Sequence, residues 1–92
     1  MPKVFTFGSF VIFFWMGKDG EPVHVHVSVK RPEPNATKFW LLANGGCALA
    51  NNNSNIDERD LRKIARAITI NHKRICSAWS ETFGADNMHF IQ

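Results

Sequence analysis

Hydrophobic positions change their spacing along this chain, and the change divides it into a strand-rich first half and a helical second half. Residues 10–16 (FVIFFWM) form a short continuous run of aromatic and β-branched side chains, and residues 17–22 (GKDGEP) are dense in turn formers. This predicts a strand followed by a hairpin loop. Gly8 and Ser9 interrupt the longer apolar stretch 4–16, which is read here as a single strand region. Residues 23–30 (VHVHVSVK) alternate without a break, so four valines share one face while His24, His26, Ser28 and Lys30 share the other. Residues 32–35 (PEPN) close that strand, because proline cannot donate to a ladder. Residues 37–42 (TKFWLL) predict a third strand, with Phe39 and Leu41 on one face and Lys38, Trp40 and Leu42 on the other. Gly45-Gly46 offers a turn, residues 47–50 a short fourth strand, and residues 51–54 (NNNS) a polar loop.

From Asp57 the period becomes helical. The Asp57 carboxylate is placed to cap the amide near Asp60, and Ile56 to staple onto Leu61. Leu61, Ile64, Ala65, Ile68, Ile75, Cys76, Trp79 and Phe83 fall into one apolar stripe, and Gly84 ends the helix. The other side collects Arg59, Arg62, Lys63, Arg66, Lys73 and Arg74 within roughly 120° of arc. A helix over residues 58–83 would be about 39 Å long, so a bend is expected near residues 69–71. The tail 85–92 shows no pattern. The expected architecture is α+β: a three- or four-stranded, mainly antiparallel sheet packed on one long C-terminal α-helix across the valine face.

Composition narrows this picture only a little. At 92 residues the chain fits one domain, with a core over about residues 4–84. A hydrophobic share of 45% and a charged share of 21% exclude a disordered chain. No tyrosine is present, so phenol chemistry is excluded. The net charge of +3 is compatible with an anionic partner without requiring one. Cys47 and Cys76 lie far apart with no C-x-x-C, which suits reduced thiols and a cytoplasmic location. No stretch reaches the ~20 apolar residues of a spanning helix, and no small-x-small cleavage site follows the first apolar run. Membrane association and a bound cofactor are not expected.

Several of these segments together resemble a small bacterial family known as domain of unknown function 4160. They are residues 13–15 (FFW), 21–27 (EPVHVHV), 36–41 (ATKFWL) and 78–83 (AWSETF), and the likeness covers roughly residues 2–84. Val23 and Thr37 depart from the family's usual EPPHVHV and AKFWL wording. The resemblance implies the fold derived above. It also implies a neighbouring small domain in a toxin–antitoxin-like pair, which is an association and not a mechanism.

His24 and His26 carry the sharpest chemistry, because residues two apart on a strand point the same way about 7 Å apart. Four readings stand side by side. The pair closes a structural or dimer interface, or contacts a ligand or nucleic acid. It works as acid and base on RNA with Lys30 or Lys38 facing the phosphate. It binds a metal with His72, His89 or Cys47 as third ligand. His72 projects from the apolar helix stripe and is expected to be buried, with one ring nitrogen bonded, on the side of the sheet away from the pair. Cys76 reads as an inert core thiol.

With one helix to cover the sheet, the second face, carrying Lys38 and Trp40, is expected to stay partly open. A homodimer or partner protein would cover it, or single-stranded bases would stack on Trp40. The functional expectation is a binding or regulatory module that uses His24, His26, Lys38 and Trp40 and the basic helix face to engage a protein or nucleic acid. The alternative is a small histidine-dependent ribonuclease-like or metal-binding enzyme. No Gly-rich phosphate loop, nucleophile–base pair or spaced carboxylate pair is found.

Overall fold

The computed structural model describes residues 3–15 and 20–92. Five strands, β1 (Lys3–Phe7), β2 (Phe10–Phe13), β3 (His24–Val29), β4 (Thr37–Leu41) and β5 (Cys47–Asn51), form an antiparallel meander in chain order. Two helices follow, α1 (Glu58–Ile70) and α2 (His72–Phe83), and then a short 3₁₀ turn, Ala85–Asn87. The sheet therefore has five strands where three or four were expected, and two helices stand in place of one. Met16 and residues 17–19 of the expected strand end and hairpin loop lie outside the described residues.

The extra strand comes from Gly8. It takes φ +59 at the first of two turn residues, the conformation a Gly-X hairpin needs, and Phe7 pairs with Phe10 across the turn. What looked like one interrupted strand is thus a hairpin. Pairing continues with Ile12 opposite Val27, Val25 opposite Phe39 and Leu41 opposite Cys47. This register puts Ile12, Val25, Val27, Phe39 and Leu41 on one face.

That face holds the main core, where these residues meet Phe14, Val23, Ile56, Ile64, Ile68, Ile75 and Trp79. Leu61, Ala65, Cys76 and Phe83 of the expected helical stripe pack at its margin. The start of α1 follows the sequence grammar. Asp57 accepts a hydrogen bond from the Asp60 amide at 3.0 Å, a contact worth about 1 kcal/mol. Glu58 and Asp60 lie in the first turn, where the helix dipole favours acids.

The helical rod breaks at Asn71, whose φ of −99° and ψ of 18° leave the helical region. Two side chains compete for backbone carbonyls there. Thr69 Oγ1 donates to Ala65 O at 2.9 Å, and Asn71 Nδ2 donates to Ala67 O at 2.8 Å, the local bonding that bends helices. The interruption falls within the segment where a bend was expected, and it splits the expected single helix in two. Gly84 closes α2 at φ +92, with its amide on Ser80 O.

Two polar segments carry more structure than their composition suggests. Asn52 Oδ1 accepts from Thr37 Oγ1 at 2.8 Å and from the Ile56 amide at 3.0 Å, so the asparagine loop ties β4 to the entry of α1. Ser54 Oγ reaches Val27 O on β3. The tail also packs: the Val23 amide donates to His89 O, the Ala43 amide donates to Gln92 O, and Met88 and Phe90 pack at the core margin.

Candidate functional site

Alternation along β3 sends His24, His26 and Ser28 to the side opposite the valines, as expected. The middle of that side is buried. His24 is 1% exposed and His26 8%, while Val11, Phe13 and Ser28 on the same face are also buried. Part of the cover comes from the chain's own connections. Ala36, just before β4, packs with Val11 and Phe13 in a second small cluster, against which Trp15 leans with its ring 5.1 Å from Phe13. Ser28 Oγ donates to Arg31 O, holding the β3–β4 connection.

The two imidazoles sit among rings. His24 lies 5.0 Å from His26, 5.7 Å from Trp40 and 5.1 Å from Trp79, and His26 stacks on Phe13 at 5.6 Å. The contact with Trp79 corrects the expectation that the pair looks wholly away from the helices, because the α2 indole reaches His24. His24 Nδ1–H donates to Pro22 O at 2.9 Å. Lys38 forms an ion pair with Glu21 and stands 4.2 Å above the Trp40 ring, its side chain 16% exposed. It neutralises a carboxylate instead of facing a ligand phosphate. Lys38 and Trp40 are half-exposed, whereas both histidines are buried.

Neither imidazole is therefore open to solvent, as a dimer contact or an acid–base pair would require. Of the proposed third metal ligands, His72 and Cys47 are engaged elsewhere. His72 Nε2–H donates to Leu42 O at 2.7 Å, its ring stacks on Phe90, and its Nδ1 is 3.7 Å from Cys76 Sγ. Its bonded ring nitrogen agrees with expectation, although the residue is half-buried. Cys47 Sγ donates to Ala65 O at 3.5 Å and lies 3.8 Å from Thr69 Oγ1, while His89 is exposed in the tail. Among the described residues no three His, Cys, Asp or Glu side chains are grouped to hold a metal ion. Burial pushes both thiols above their ordinary range, with the Thr69 hydrogen bond partly offsetting this at Cys47.

The six cations of the helical layer are all exposed, and two helices share them. The break at Asn71 assigns Arg59, Arg62, Lys63 and Arg66 to α1 and Lys73 and Arg74 to α2. Arg62 pairs with Glu58 at 3.3 Å. Arg74 turns to the sheet edge, donating to Val4 O at 3.4 Å over the Phe5 ring. Arg59, Lys63, Arg66 and Lys73 have no acidic partner among the described residues. At 100° per residue Arg59, Lys63 and Arg66 fall within about 60° of one another, and Ile70 continues their stripe.

Sequence reasoning missed that last residue. Ile70 is 76% exposed, and with Phe7, Lys63, Arg66, Ala67 and Asn71 it lines a cavity of about 310 Å³. Its position could have flagged it, since it lies on the cationic arc and not in the apolar stripe. Among the described residues no helix is long and apolar enough to cross a membrane.

A family model described as Domain of unknown function (DUF4160) matches residues 9–80. That span runs from the β1–β2 turn almost to the end of α2. No curated protein and no solved structure matches the chain.

Proposed function

We propose that this chain, which belongs to the DUF4160 family, is a binding module for an anionic macromolecule, contacted through the outer side of α1. The observation that carries this reading is the row Arg59, Lys63 and Arg66: three exposed cations on one side of a helix, none with an acidic partner among the described residues. A solvated helix face more often carries i,i+4 partners of opposite sign, as Glu58–Arg62 does here. His24 and His26 then serve the interior, holding β3 against Phe13, Trp40 and Trp79. A toxin–antitoxin-like role needs a partner chain, and this surface would be available to one. The acid–base and metal readings gain no support from a pair buried among aromatic rings.

A DNA duplex serves as a generic polyanion for the test. Three phosphate contacts give a slope of log affinity against log salt of roughly −2.7. Between about 50 and about 200 mM salt, affinity should fall roughly forty-fold on that slope. A flat response would leave the row as a solvated surface.

A further inference from the structure

The α1 stripe does not end in charge. Lys63, Arg66 and Ile70 follow one another at the i, i+3 and i+7 spacing that puts side chains on one side of a helix. Phe7, from the end of β1, and Ala67 join them around the 310 Å³ cavity. Asn71 closes the lining, with its side-chain N–H already donating to Ala67 O. The cavity is thus an apolar recess with two cations at its margin. Ile70, at 76% exposed, is among the few large apolar side chains that the fold leaves in water.

From this arrangement we infer that the recess receives an aliphatic side chain from an acidic segment of a partner protein. The inference rests on the anionic reading above and names the class of partner. Charge and shape decide it together. A phosphodiester backbone would neutralise Lys63 and Arg66 but would leave Ile70 and the recess facing water. An acidic peptide carrying one aliphatic residue satisfies both, with its carboxylates meeting the cations and its side chain covering Ile70. The volume lies at the small end of ligand sites and suits one or two side chains better than a cofactor.

The test uses the full chain and two short synthetic peptides, one with a leucine flanked on both sides by glutamates and one with alanine in its place. Fluorescence anisotropy at low salt should show the leucine peptide binding about tenfold tighter, the effect of burying a few methylene groups. Ile70→Ser should erase that difference while both peptides still bind. Lys63→Glu with Arg66→Glu should weaken both peptides alike. All three positions are exposed, and unchanged helicity confirms that each variant folds. Equal binding of the two peptides, or a preference that survives Ile70→Ser, overturns the inference. Binding of the DNA duplex without either peptide overturns it too, leaving the anionic reading intact with nucleic acid as the occupant. Binding of neither overturns both.

Discussion

Trp79→Ala should destabilise the protein by about 3–5 kcal/mol, the range for deleting a large aromatic side chain from a packed core. Against a total stability of about 5–15 kcal/mol this approaches loss of the fold. Trp79 is fully buried, and its indole touches three other rings: Phe14 at 5.3 Å, His24 at 5.1 Å and Phe83 at 4.3 Å. Its Nε1–H also donates to Asn87 O at 3.2 Å, tying the tail to α2. Alanine would leave a cavity where helix, sheet and tail converge. Trp79→Phe keeps much of the ring contact and loses the hydrogen bond, so its cost should be smaller, about 1–2 kcal/mol. Urea denaturation of both variants measures the difference. A loss under about 1 kcal/mol for Trp79→Ala would mean that the indole does not join these layers.

The second large effect concerns the surface. Replacing Arg59, Lys63 and Arg66 together by glutamate should remove duplex retention at low salt and bring the salt slope close to zero, since all three cations that meet the polyanion are reversed in sign. Stability should change by less than about 1 kcal/mol, because the three positions are exposed and carry no ion pair among the described residues. Replacing Arg62 and Arg74 by glutamine offers the comparison. Those two cations are already engaged by Glu58 and by Val4 O, so their loss should affect binding much less. If the two sets of variants lose affinity equally, general charge and not this row governs binding.

Much of the fold could be read from local patterns. The β3 alternation, the Asp57 cap, the bend near Asn71 and the Gly84 stop each depend on a few neighbouring residues, and each stands as expected. The β1–β2 hairpin was harder to read, because Gly8 and Ser9 sit within an apolar stretch with no polar loop to mark the reversal. The second face of the sheet was harder still. Its parity followed from alternation, but the packing of Ala36 and Trp15 on Val11 and Phe13 is a tertiary contact that no local period encodes. The same limit applies to the candidate site. Exposed cations on a helix were visible as an arc, whereas the meeting of Phe7 with Ile70 requires the β1 end to lie beside α1. Lys38 illustrates the reverse case: its place beside Trp40 was legible, but its neutralisation by Glu21, 17 residues away, was not.

The central claim is that contact occurs on the outer side of α1 and that the histidine face is interior. The most direct measurement is a titration of the isotopically labelled full chain with a DNA duplex, following backbone and side-chain resonances residue by residue. The account predicts the largest shifts at Arg59, Lys63 and Arg66, with His24, His26 and Trp40 unmoved. Shifts concentrated on Ser28, Lys38 and Trp40, with α1 silent, would contradict it.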